Sequence, residues 1–217
     1  MLTRMNTLAN PQARTYAASL GRSGRRPPSR HLRARPTAHA PHGESVTTRN
    51  GDELVLRSIH PDDVDALQRG FAHLTPEEVR MRFLHPLTEL PEPLAQRLCN
   101  LDAETELAFV LADPPGVREP EIHAVSRAHI DPVTLAAEFA LVVQGRYKGQ
   151  GFGTLLMQRL IAACRARGAL EMWGDVLLEN GAMLELCHDL GFSRQSHLRG
   201  DPGVVRVTLD LCESAIK

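Results

Sequence analysis

The chain has 217 residues, 42% hydrophobic and 24% charged, which fits one ordinary soluble domain with a buried core and is short for two. Its formal charge of −1 hides a division: eight of the 25 basic residues and none of the 26 acidic ones precede residue 44, leaving 17 bases against 26 acids, a balance of −9, in the rest. No apolar run approaches the roughly 18 residues of a membrane helix, and the four cysteines (Cys99, Cys164, Cys187, Cys212) form no CxxC pair, which argues against a zinc or disulfide framework and for a reducing, cytoplasmic setting.

Residues 1–43 are rich in Arg, Ser, Ala and Pro, with Pro27, Pro28, Pro36 and Pro41 interrupting any helix, and are predicted to be a disordered tail. Three readings fit it: a passive tail, an electrostatic arm for a polyanion, and an organelle transit peptide. The first is preferred, because no aromatic interleaving or nucleic-acid motif accompanies the arginines, and nucleic acid is not an expected partner.

The folded domain is predicted over residues 44–217. Alternation in Glu53–Ile59 predicts a first strand, and His60-Pro61-Asp62-Asp63 starts a helix running to about Gly70. Thr75-Pro76-Glu77-Glu78 repeats that start, with an N-cap, proline in the first turn and acids at the positive end of the helix dipole, for a helix to about Leu84. After Pro86, Pro91 and Pro93 a short helical stretch is expected near Leu94–Leu101, then strands near 107–112, 122–129 and 135–143.

Phe152, Leu155, Leu156, Leu160, Ala163 and Cys164 then recur on one face of a helix ending near Gly168. A strand at 172–178, a shorter helix using Met183, Leu186, Cys187 and Leu190, and a closing strand at 204–211 complete the pattern. This order predicts a single α/β (α+β) domain in which a mostly antiparallel sheet feeds one βαβ unit.

The turn of that unit reads Arg146-Tyr147-Lys148-Gly149-Gln150-Gly151-Phe152-Gly153-Thr154 and joins a strand to the clearest helix in the chain. Glycines here allow close backbone approach, and N–H groups at a helix start favour anions, so the turn can hold phosphates; tight packing alone would also account for glycines at these positions. The spacing matches neither a Walker loop nor the GxGxxG dinucleotide fingerprint.

Taken together, Glu138-Phe139-Ala140-Leu141-Val142-Val143, the Lys148–Gly153 loop, Leu178-Glu179-Asn180 and Leu190-Gly191-Phe192 resemble the GNAT N-acetyltransferase superfamily over about residues 52–211. The resemblance implies a GNAT-like mixed, mostly antiparallel central sheet flanked by helices, acetyl-CoA as co-substrate and no metal. Its [Gln/Arg]-x-x-Gly-x-[Gly/Ala] pyrophosphate loop falls on Lys148, Gly151 and Gly153, with Lys148 in place of the usual Gln or Arg; a shifted register, Arg146, Gly149 and Gly151, also fits. Gln150, Thr154 and the strand residues Leu141, Val142 and Val143 complete the cofactor set that it implies. The Arg57-x-Ile59-x-Pro61-Asp62-Asp63 opening, Arg80–Leu87 and Ala137-Glu138-Phe139-Ala140 look like the acetyltransferase domain of bacterial Pat-type protein lysine acetyltransferases.

An acceptor lysine with a pKa of about 10.4 is almost wholly charged at neutral pH and must lose its proton before attack. Glu138, interrupting an apolar strand, resembles the catalytic glutamate of Pat-type enzymes and is the candidate base, with burial beside Phe139 and Leu141 expected to tune it; a solvent-facing charge on an alternating strand is the competing reading. Backbone N–H groups around Val142 and Val143 would polarise the thioester carbonyl. Asn180 resembles a cofactor-contacting asparagine and equally suits a helix N-cap. Cys187 stands near the position where many relatives have a proton-donating tyrosine, although its place on an apolar helix face favours packing. The predicted acceptor is a protein lysine, with a small-molecule amine as the second reading and a non-enzymatic acyl-CoA-binding module as the third.

Overall fold

A computed structural model describes residues 43–195 and 203–212, so the expectations for the basic tail over 1–42 lie outside the described residues. Among the described residues eight strands form one sheet: β1 (Glu44–Thr47), β2 (Glu53–Ser58), β3 (Glu106–Ala112), β4 (Ile122–Ile130), β5 (Ala136–Val143), β6 (Glu171–Leu177), β7 (Ser193–Gln195) and β8 (Val204–Asp210), in spatial order β1-β2-β3-β4-β5-β6-β8-β7. Every neighbouring pair is antiparallel except β5 and β6, the two strands joined by the long helix. β1 and β7 have no counterpart in the sequence reading. Both are short, polar, largely exposed edge strands, and an edge strand with two wet faces carries no alternation to read.

The helices are α1 (Val64–Ala72), α2 (Pro76–Phe83), α3 (Glu92–Cys99), α4 (Phe152–Ala166) and α5 (Gly181–Asp189). α2 starts with a reciprocal cap, Thr75 Oγ1 accepting from the Glu78 N–H at 3.2 Å while Glu78 Oε2 accepts from the Thr75 N–H at 2.9 Å, and ends at Leu84 in left-handed conformation. α3 begins two residues before its expected start. Pro93 lies in its first turn, where a missing N–H removes no helix bond, so a residue read as a breaker is part of the helix.

The sheet separates two apolar cores. One lies under α4 and α5, where Phe152, Leu156, Met157, Leu160, Ile161 and Cys164 meet Phe139, Leu141, Met172 and Val176; Leu155 and Ala163 flank the stripe only partly buried. The other lies under α1–α3, around Leu67, Phe71, Val79, Ala95 and Val110. α1 approaches the sheet so closely that a Cβ on Gly70 would overlap the Ile122 carbonyl oxygen. Among the described residues no helix is long and apolar enough to cross a membrane.

Candidate active site

β5 and β6 start side by side and then part. Their parallel pairing is confined to Ala136 with Glu171, Ala137 with Met172 and Glu138 with Trp173, although the strands continue to Val143 and Leu177. Phe139, the first residue past the last pair, packs its ring on Gly174, where a Cβ would come within 2.6 Å of a ring carbon, and meets Phe192 edge-on at 5.3 Å between centroids. On the other edge of β5 the Gln144 N–H donates to the His123 carbonyl at 3.0 Å and the Asp131 N–H to the Ala136 carbonyl at 2.9 Å. Because peptide directions alternate along an antiparallel strand, the peptides of Ala140 and Val142 point to β4, while those of Leu141 and Val143 face the opened edge.

The loop that follows turns through Gly149 and Gly151 at φ +71° and +86°, values that L side chains rarely adopt, with nothing within 4 Å of where either Cβ would stand. The N–H groups of the first turn of α4 have no acceptor within their helix and sit at its positive end. Gly153 does different work: its Cβ would touch Leu186 at 3.4 Å and Leu141 at 3.6 Å, so this glycine lets α4 pack closely on α5 and β5.

Opposite the loop stands α2. The Lys148 ammonium lies 2.6 Å from Glu78 Oε1, and Arg80 is ion-paired with Glu179 on the loop before α5, so α2 is tied to both sides of the gap. Between them lies a cleft of about 550 Å³, floored by Leu141, Val142 and Val143 and walled by Glu77, Glu78, Met81 and Arg82 from α2, Tyr147 to Gly149 and Gly153 from the loop, and Asn180, Met183 and Leu186 from the start of α5.

Residues 74–192 match the model of the Acetyltransferase (GNAT) family. The chain belongs to that family. It is 27% identical over 146 residues to an acetyltransferase of Pseudomonas aeruginosa, the match covering 67% of this chain and 78% of that one. It is also 27% identical over 166 residues to acetyltransferase Pat of Mycolicibacterium smegmatis, the match covering 76% of this chain and 48% of that longer protein. The crystal structure of the GNAT domain of S. lividans PAT superposes with a TM-score of 0.68 at 24% identity, covering 79% of this chain and 98% of that one, and thus shares the fold. The protein is an acetyl-CoA-dependent GNAT acetyltransferase, and its cleft suits that co-substrate: an opened strand edge for an amide-bearing arm, beside a glycine turn and helix start for its phosphates.

The GNAT cleft gathers Leu141, Val142, Val143, Lys148, Gly149, Gly153 and Asn180. Arg146 turns away from it, donating to Gln144 Oε1 at 3.2 Å and placing Nη2 at 3.3 Å from Glu121 and 3.0 Å from His123 Nδ1, and lies over the Tyr147 ring. His123, 1% exposed, in turn holds Asp113 at 2.7 Å, so Arg146 braces the base of the loop. Gln150 is also engaged locally, accepting from the Arg49 N–H at 3.0 Å and donating to the Arg146 carbonyl at 3.1 Å. Gly151 caps α4, and Thr154 lies in its first turn. Asn180 caps α5, its Oδ1 accepting from the Met183 N–H at 3.2 Å, while also lining the cleft.

Glu138 is 6% exposed. One part of its sequence reading is corrected: Phe139 and Leu141 point into the core beneath α4, whereas Glu138 faces the α1–α3 side, where its charge stabilises the guanidinium of Arg82. Burial pushes Arg82 down to about 10, with Glu138 opposing that fall. Cys187 is 1% exposed in the α4–α5 core, burial pushes its thiol up to about 11, and it is not among the cleft-lining residues. The sequence reading missed Glu78, Met81, Arg82 and Tyr147 as cleft residues. Their only local signals were a helix-start acid, the Arg80–Leu87 segment and a place inside the glycine loop.

Proposed function

We propose that this acetyltransferase acts on the ε-amine of a protein lysine by direct attack in a ternary complex, with Glu138 as the base. The observation that carries the reading is the position of Glu138 at the last residue pair before β5 and β6 part, next to the strand edge whose Leu141 and Val143 peptides are turned into the gap. Acetyl-CoA supplies the activated acyl thioester. Around it the chain provides a cation at Lys148 and the helix start at Phe152 for phosphate, the Val143 N–H for the thioester carbonyl, and Glu138 for the proton leaving the amine.

Glu77, Glu78 and Glu179 line the same cleft, and an acidic rim favours a cationic acceptor. The resemblance to Pat-type enzymes supports lysine as that cation. We further propose that residues 44–217 form one catalytic domain behind a basic tail, in a reducing cytoplasmic setting consistent with four unpaired cysteines. Incubation with labelled acetyl-CoA and a cell lysate, fractionated by size and followed by peptide mass spectrometry, tests the acceptor. Label on lysines of proteins is the expected result, and label confined to small molecules moves the function to a small amine.

A further inference from the structure

Behind the cleft, between α1, α2, α3 and the middle of the sheet, lies a second cavity of about 50 Å³. Arg82 and Val142 line both spaces, so cavity and cleft share a wall. The rest of its lining is largely apolar, including Leu67, Phe71 and Val125, with three polar exceptions: Arg127, 2% exposed, and the buried His123 and Gln144, which are engaged with Asp113, Arg146 and the Gly70 carbonyl. Arg127 donates from Nη2 to the Leu98 carbonyl, while its Nε and the Nη1 of Arg82 are buried with no hydrogen-bond acceptor among the described residues. A buried cation and a half-buried one, each with a buried N–H group left unanswered at one cavity, are costly and unusual.

The surrounding charges offset them only in part, Glu138 acting on Arg82 and Glu106 on Arg127. Glu106 is held by Arg97 at 2.5 and 2.9 Å and by the Asp102 N–H at 2.9 Å; Asp63 is held by Arg57 at 2.7 and 2.8 Å. Asp102 is exposed and acts on Arg97 and Arg167. Arg82, Arg97 and Arg127 thus face two carboxylates, Glu106 and Glu138, and one positive charge remains. Consistent with this excess, Arg127 is pushed down to about 9, chiefly by burial and next by Arg82.

We propose that the cavity receives a carboxylate at the far end of the acyl group, so that the enzyme takes CoA thioesters of short dicarboxylic acids as well as acetyl-CoA. This rests on the reading of the cleft as the acyl-CoA site. One carboxylate supplies one negative charge and acceptors in the plane that guanidinium donors match. Val142 lies between the two peptides that face the gap and borders both cleft and cavity, so an acyl chain extended past the thioester is led to Arg82 and Arg127. The chemistry is the same as for acetyl transfer. The acceptor nitrogen bonds to the acyl carbon, the carbon–sulfur bond breaks with its electrons on sulfur, the amine proton passes to Glu138, and the CoA thiolate takes a proton from water.

Calorimetry of the full chain with acetyl-CoA, succinyl-CoA and butyryl-CoA tests it, the last two having acyl chains of equal length and different charge. Succinyl-CoA is expected to bind at least tenfold more tightly than butyryl-CoA, and the ratio of the two affinities, which cancels any general loss, is expected to fall toward one in Arg127→Met. If that variant does not fold, the wild-type ratio alone decides. Acetyl-CoA binding with no preference for succinyl-CoA over butyryl-CoA overturns the proposal and leaves the proposed function standing. Failure of all three to bind overturns both. Competition by free succinate without any gain for succinyl-CoA assigns the pocket to a separate anion and also overturns it.

Discussion

The Lys148 ammonium and the Glu78 carboxylate, 2.6 Å apart, join the glycine loop to the capping box of α2 at the edge of the cleft. The lysine side chain is 52% exposed, so the pair contributes little to stability, and its importance lies in placing the cation and in opposing a second anion nearby. Lys148→Ala is expected to weaken acetyl-CoA binding about tenfold and Lys148→Arg to retain most of it, as read by calorimetry. Glu78→Gln moves affinity the other way. Glutamine keeps the capping pattern while removing the charge that competes with phosphate, so acetyl-CoA should bind a few-fold more tightly, whereas Glu78→Ala also loses the box and should cost about 1 kcal/mol in denaturant unfolding.

Acid should destabilise the fold through two carboxylates. Burial alone would raise Glu78, but hydrogen bonds from Lys148 and Thr75 hold it below 4.5; Glu106 is likewise raised by burial and lowered further by Arg97. A group whose folded value is depressed stabilises the protein above its unfolded value, and the contribution disappears as pH falls through the folded value. Thermal midpoints are therefore expected to hold down to about pH 4.5 and decline below it, and Glu106→Gln, less stable at neutral pH, should show a flatter acid limb.

Glu138→Gln preserves the size of the side chain and removes its capacity to accept the amine proton. A general base typically contributes about 10²–10⁴ in rate, so kcat should fall by that order while acetyl-CoA affinity stays within a few-fold. An unchanged rate at neutral pH would remove Glu138 from the mechanism.

Two glycines rank differently as sites of damage. A Cβ at Gly174 meets the Phe139 ring, which can shift, and Gly174→Ala should cost about 1–3 kcal/mol. At Gly70 the obstacle is the Ile122 backbone carbonyl, which cannot move without the sheet, so Gly70→Ala should be the more destabilising in parallel urea titrations. Widening the wedge at Phe139 should also raise the KM for acetyl-CoA in the Gly174 variant, an effect absent from a purely structural lesion.

Three of the four thiols are buried, and burial holds Cys99 and Cys187 at about 11 and Cys164 at about 12, whereas Cys212 is exposed. A colorimetric thiol reagent at pH 8 should label one cysteine in the native protein and four after unfolding. Cys187→Ala should lose stability by about 1 kcal/mol and keep acetyl transfer, since the thiol packs in the core and does not reach the cleft.

What could be read from the residues alone was what depends on near neighbours. The stripe from Phe152 to Cys164, the Thr75–Glu78 cap, the Asn180 cap and the glycine turn are set by side-chain period and turn chemistry over a few positions, and with the motif residues they were enough to point to the family. The tertiary structure decided where strands stop pairing and which distant charges meet. Lys148 and Glu78 are far apart in sequence, as are Arg82 and Glu138, and Arg146 is drawn from the phosphate side of the loop by Glu121, just before β4, and His123 within it. Such relations follow from sheet register and helix docking, which bring together groups whose attraction has no trace in local periodicity. For that reason the loop could be found from the chain alone, whereas the direction of each basic side chain and the charged cavity beside the cleft could be found only in the fold.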